Sequence, residues 1–110
     1  MSQVSDGTDR EEVRKVSKAI FGSRYRLEAA NAVASGGDVL YAREIARRID
    51  VGDNQAQLEL RHFESAGLLL RLERVVGQRQ QYYQRRESAF WQLVEALYAE
   101  VARDAARSGR

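Results

Sequence analysis

The sequence predicts a mainly α-helical fold with one small β-hairpin, and three features carry that prediction. Two short segments with apolar residues at helical spacing are joined by the tight turn Asp50-Val51-Gly52. Gly67 ends the second of them, and two strand-like stretches follow, Leu68 to Val76 and Gln80 to Arg85, joined by the short link Val76-Gly77-Gln78-Arg79. After Ser88, apolar residues recur at helical spacing to about Ala106, which predicts a long C-terminal helix.

Taken in order, residues 1–8 are small and polar without periodicity and read as a flexible tail, as do residues 107–110, leaving a folded domain over 9–106. Thr8 with Glu11, or Asp9 with Glu12, offers a capping box for a first helix carrying Val13, Val16 and Ile20. Gly22-Ser23 interrupts. Tyr25, Leu27, Ala30, Val33 and Ala34 then form a second, well-buried helix that stops at Ser35-Gly36-Gly37. Val39 to Tyr41 is long enough only for a small edge strand. Ala42 to Ile49 places Ile45, Ala46 and Ile49 on one helical face, and Asp53 is positioned to cap the next helix, whose apolar residues are Ala56, Leu60 and Phe63. Two short helices around a glycine-containing turn make a helix-turn-helix. Ser88 caps the last helix, built on Phe90, Trp91, Leu93, Val94, Leu97, Tyr98 and Val101.

Composition narrows the function. The chain has 110 residues, room for one domain and one core, so a separate sensor domain is not expected within it. No apolar run approaches the roughly 18–20 residues that cross a bilayer, and Met1 to Asp9 lacks the pattern of a signal peptide, so the expected location is the cytoplasm, with no membrane partner. With no cysteine and a single histidine, neither a metal site nor another cofactor is expected. There is no nucleophile-base pair, glycine-rich phosphate loop or acidic metal cluster, so the chain does not read as an enzyme. The net charge is only +2, but it is unevenly spread: Leu68 to Arg86 holds five arginines against the single acid Glu73.

From Ala42 to Tyr83 the chain resembles the winged helix-turn-helix regulators of the arsenic-repressor (ArsR) and multiple-antibiotic-resistance (MarR) types. The resemblance rests on Glu44-Ile45-Ala46-Arg47-Arg48-Ile49-Asp50-Val51, on Leu60-Arg61-His62-Phe63-Glu64-Ser65-Ala66-Gly67-Leu68, and on the aromatic close Tyr82-Tyr83 of the second wing strand. It implies a double-stranded-DNA-binding transcription regulator acting as a homodimer, with repression the commoner outcome. A winged helix serving as a protein-protein interaction module is the competing reading. Metal-sensing relatives carry cysteines where this chain has Tyr41 and Arg43, which removes that mode of sensing. No small-molecule effector is indicated.

With Ala56, Leu60 and Phe63 inward, the other side of their helix presents Asn54, Gln55, Gln57, Leu58 and Arg61. Amides pair with adenine, arginine with guanine, and leucine meets a thymine methyl; a solvated polar face is the plainer alternative. Glu59 stands beside this face, where a carboxylate is unfavourable near phosphate but able to accept from cytosine or to pair with the neighbours of Arg61. Arg79 at the hairpin tip, with Gln78 and Gln80, is placed for the minor groove or the backbone, and Arg71, Arg74, Arg85 and Arg86 for phosphates. His62 reads as a partly buried structural residue. Strand alternation should split Tyr82 and Tyr83, one inward and one outward.

The apolar arc of the last helix spans roughly 160°, wider than the ≳ 100° stripe one core requires. Leu93, Leu97 and Phe90 are therefore expected on the domain's own core, leaving Trp91, Val94, Tyr98 and Val101 for a second copy, joined by Val13, Val16 and Ile20 of the first helix. The alternative is that the first helix covers this flank within the same chain.

Overall fold

The computed structural model describes the backbone of residues 2–108 and the side chains of residues 9–107. Its elements are α1 (Ser2–Phe21), α2 (Arg26–Ser35), β1 (Val39–Tyr41), α3 (Ala42–Ile49), α4 (Asp53–Ser65), β2 (Leu69–Arg71), β3 (Tyr82–Arg85) and α5 (Ala89–Ser108). α1 reaches back to Ser2, so helix occupies positions read above as a tail, and the start of the helix is not at Thr8 or Asp9. Gly109 and Arg110, the end of the second tail, lie outside the described residues.

α2 is the centre of the helical layer. Leu27, Ala29, Ala30, Ala32 and Val33 are all buried, and the small alanine side chains let α1 and α5 pack closely against it. The sheet lies at the other end, antiparallel in the order β1-β3-β2, with Tyr83 of the central strand facing Leu40 on one side and Arg71 on the other. Alternation splits the tyrosines as expected: Tyr83 is fully buried, and Tyr82 stays half-exposed with its ring edge-on to Tyr41 at 5.3 Å.

Glycine and its substitutes set the turns around the helix-turn-helix. Gly67 adopts φ +80°, which brings its own N–H to the Glu64 carbonyl and the Leu68 N–H to the Phe63 carbonyl, the paired bonds that close a helix end. At the end of α3 the left-handed residue is Asp50, φ 59°. The cap of α4 differs from expectation: Gly52 holds that position with no side-chain bond, and Asp53 is the first helical residue, its carboxylate accepting from Arg43 Nε at 3.2 Å. Ser88 does cap α5, its Oγ accepting the Phe90 N–H at 3.1 Å.

Three further expectations are corrected. The hairpin strands are shorter than read, β2 ending at Arg71 and β3 beginning at Tyr82, and Val75 and Val76 beyond them are exposed. Their tip is the turn Val75 to Gln78, closed by the Gln78 N–H on the Val75 carbonyl with Gly77 at φ +86°, and Arg79 follows this tip instead of forming it. Arg85, read as a phosphate contact, is engaged within the fold: its Nη1 donates to the carbonyls of Val33 at 2.8 Å and Gly36 at 3.1 Å, and Nη2 pairs with Asp38 at 3.0 Å, capping the end of α2. On α5 the inward face is only partly the one assigned: Phe90 and Leu97 pack against the core as expected, but Leu93 does not. Trp91 and Val94 are buried in the chain's own core, while Leu93 is 67% exposed. Val13 is buried as well, because α1 lies along α5 and covers that flank within the chain. Trp91 completes this seam by donating Nε1–H to the Arg86 carbonyl at 2.8 Å and setting its ring against Phe63.

Candidate nucleic-acid interface

α4 owes its position to one apolar stripe. Ala56, Leu60 and Phe63 are buried, at intervals of four and three, and fix which way every other side chain of the helix points. The outermost line is Asn54, Leu58 and Arg61, at i, i+4 and i+7, all exposed. Gln55 and Gln57 flank this line and are half-buried, each tied to a neighbour. The Gln55 amide donates to Glu59 at 3.3 Å, and the Gln57 amide donates to the Tyr83 hydroxyl at 2.8 Å.

Glu59 is not beside the exposed face. It is 1% exposed, and its carboxylate accepts from Arg26 Nε at 2.5 Å and from the Ser23 hydroxyl at 2.6 Å. The network continues inward, where buried Ser17 donates to the Ser23 carbonyl at 2.6 Å and accepts the Leu27 N–H at 3.0 Å. A buried carboxylate needs such partners, and these bind α4 to the turn between α1 and α2. The acid expected beside the exposed face is therefore withdrawn into the fold and paired. His62, by contrast, is exposed, because it falls on the solvent side of the stripe that Leu60 and Phe63 define.

Of the hairpin arginines, Arg71 is engaged: it forms two hydrogen bonds with Glu64, the shorter 2.8 Å, and lies 5.8 Å from the Tyr83 ring centroid. The hydrogen bond from Arg71 holds the Glu64 carboxyl below its ordinary range. Arg74 and Arg79 are exposed, and so are Gln78 and Arg86. Arg74 and Arg79 come together with Arg43, Asn54 and Gln57 around a hollow of about 230 Å³ between the hairpin and the start of α4. A second hollow, of about 430 Å³, lies between the α1–α2 turn and α4, bordered by Lys18, Arg24, Arg26, Gln55, Leu58 and His62. Arg43, Lys18, Arg24 and Arg26 did not emerge from the sequence. Lys18, Arg24 and Arg26 stand on segments remote from α4 in the chain, and no local spacing announces that tertiary packing brings them beside it, whereas Arg43 stands on α3, immediately before α4.

The arrangement is a convex helix edge of amide, aliphatic and guanidinium groups with cations on both sides, chemistry suited to base edges between two rows of phosphates. Among the described residues no group of three or more His, Cys, Asp or Glu side chains could hold a metal ion, and no helix is long and apolar enough to cross a membrane.

Neither a protein-family model nor a curated protein sequence matches the chain. Among solved structures it is similar to MepR, a transcription regulator of the Staphylococcus aureus multidrug efflux pump MepA, with a TM-score of 0.59 and 13% sequence identity over 96% of this chain and 76% of that one. The fold is thereby a winged helix, with α3 and α4 as the helix-turn-helix and the β2–β3 hairpin as the wing.

Proposed function

We propose that this chain is a sequence-specific, double-stranded-DNA-binding transcription regulator, acting as a homodimeric repressor in the cytoplasm. The observation that carries the reading is the exposed line Asn54, Leu58 and Arg61 on α4, set between two cation-bordered hollows. α4 is the recognition helix in this reading. Arg61 is the guanine reader, Asn54, Gln55 and Gln57 the adenine readers, and Leu58 the contact for a thymine methyl. In the wing, Arg74, Gln78 and Arg79 meet the backbone or the minor groove, and Arg71 reaches DNA only by exchanging its Glu64 partner. The likeness to MepR, itself described as a transcription regulator, supports regulation as the outcome, and a bound dimer that occupies promoter DNA represses by exclusion.

The dimer we propose uses the parts of α1 and α5 that the chain does not cover itself. Val13, Trp91 and Val94 belong to the core. Ile20 is 56% exposed, and Val16, Tyr98 and Val101 are half-buried, Val16 and Val101 bordering a shallow hollow between the two helices. Exposed Leu93 adds an apolar contact on α5. A twofold dimer presents two copies of α4 to a palindromic site.

The test is selection from a random duplex library with wild type and with an Asn54→Ala, Arg61→Ala double variant. The reading expects the wild type to enrich one motif, and the variant to retain weak binding without it, each lost base contact costing on the order of 1–3 kcal/mol. Absence of any enrichment by the wild type would overturn it and leave the winged helix as a protein-protein module.

A further inference from the structure

An α-helix lodged in a major groove has a row of phosphates on each side, since the groove, about 12 Å wide, is bounded by both strands. The wing side of α4 carries Arg74 and Arg79, beside Arg43 in its surface pair with Asp53. The opposite side is formed by the α1–α2 turn, and there Lys18, Arg24 and Arg26 border a hollow of about 430 Å³ that reaches Gln55 and Leu58, at the edge of the exposed line. We infer that the α1–α2 turn is a second phosphate-binding edge, clamping the DNA strand that lies across α4 from the wing. This inference rests on the DNA-binding reading above and adds to it a site outside the helix-turn-helix and the wing.

The local charge favours an anion. The acids that meet this edge are Glu59, which is buried and bonded to Arg26 and Ser23, and Glu11, which pairs with Arg24 at 3.0 Å on the surface. Arg26 is held rigidly by that buried carboxylate, with a side chain only 20% exposed. Arg24 is more mobile in principle: its pair with Glu11 is solvated and screened, so exchange of a carboxylate for a phosphate oxygen involves little loss. As a guanidinium, Arg24 remains a cation at any working pH whether it faces Glu11 or a phosphate. Lys18 donates to the Gly22 carbonyl at 3.2 Å, which sets its ammonium over the same turn. Anchoring the turn to α4 through Glu59 fixes the spacing between these cations and the base-facing line, as a clamp requires.

The experiment measures affinity for a selected duplex against salt, for wild type, for Lys18→Ala/Arg24→Ala, and for Arg103→Ala/Arg107→Ala, which removes the same charge from exposed positions at the end of α5. Arg26 is left in place because it neutralises buried Glu59. The turn variant should bind selected and unselected duplexes more weakly by a similar factor, with the slope of log K against log salt flatter by about two units, near 0.9 per phosphate contact, while the α5 variant keeps the wild-type slope. Ethylation interference should show the corresponding phosphates losing their effect only in the turn variant. If the wild type selects a motif but the turn variant keeps its slope, or the α5 variant loses as much, the second edge is overturned and the DNA-binding reading stands. If the wild type binds no duplex, both fall.

Discussion

The Gln57 side chain donates to the hydroxyl of Tyr83 at 2.8 Å, joining the middle of α4 to the central strand of the sheet. Tyr83 is fully buried, so the bond fixes one amide hydrogen of Gln57 in a set direction. The second hydrogen and the carbonyl oxygen are the pair that adenine requires. Gln55 is held in the same manner from the other flank, by Glu59. Two amides beside the exposed line are thus oriented by fixed partners, one from the wing strand β3 and one from within α4 itself.

Removing the hydroxyl alone tests this joint. Tyr83→Phe should lower stability to urea unfolding by about 1 kcal/mol, the net contribution of a single hydrogen bond, with no change of fold. In the selection experiment the same variant should relax the base preference opposite Gln57 and leave that opposite Arg61 intact. Equal loss at both positions would show a general disturbance of α4.

The stop of α4 depends on backbone conformation. At Gly67, φ is +80° and a Cβ would meet nothing within 4 Å, so the penalty of a side chain there is conformational and not steric crowding. Gly67→Ala is expected to cost about 1–2 kcal/mol, the preference of an L-residue against the left-handed region. Gly67→Asn should cost less, because asparagine tolerates that region. Thermal unfolding of the two variants decides, and equal stability of alanine and glycine would mean that the helix ends otherwise.

Glu59 is the strongest single test of the anchoring of the α1–α2 turn. With Glu59→Ala the partly buried Arg26 guanidinium and the Ser23 hydroxyl lose their acceptor, and leaving such donors unpaired costs about 1–3 kcal/mol. The expected result is a marked fall in the urea midpoint, with faster hydrogen exchange concentrated around residues 22–26. A loss below about 1 kcal/mol would place the pair among surface bridges, contrary to the 1% exposure of Glu59.

Glu28 gives a pH dependence of definite sign. Burial raises its carboxyl above the ordinary value of 4.5, against the opposing pull of Arg14 at 2.6 Å and Arg10 at 3.2 Å. The folded chain consequently holds this proton more tightly than the unfolded chain does. Its contribution to stability is fully present below the unfolded value near 4.5 and is lost as pH rises through the folded value. The difference in unfolding free energy between wild type and Glu28→Gln should accordingly be more favourable to wild type at pH 4 than at pH 7. A trend of opposite sign would mean that the arginines outweigh desolvation.

Sedimentation addresses the assembly. The wild-type chain should sediment as a dimer at micromolar concentration, and Ile20→Glu/Leu93→Glu, two exposed positions, should bring the mass to the 12.5 kDa of a single chain without unfolding it. Val94→Glu, in contrast, should unfold the monomer, since Val94 is 3% exposed within its own core. A monomeric wild type would remove the homodimer from the proposal.

The local pattern of the sequence determined the helix-turn-helix, the glycine stop at Gly67, the Ser88 cap and the inward stripe Ala56, Leu60 and Phe63, because each depends on spacing within one element or on the φ of one residue. Asn54, Leu58 and Arg61 followed from that stripe, as positions on the far side of a helix whose inner side is fixed. Tertiary structure decided the rest. The apolar arc of α5 is wide enough to be buried on either flank, and only the packing of α1, α2 and Phe63 of α4 against it chose Trp91 and Val94 for the core and left Leu93 in water. Glu59 and Arg85 carry charges that look the same in sequence as those of exposed neighbours. One is sunk against Arg26 and the other against the end of α2, by contacts spanning 33 and 52 residues. A charge is functional or structural according to what lies opposite it, and for these residues that partner is set by chain segments too distant for any local period to register.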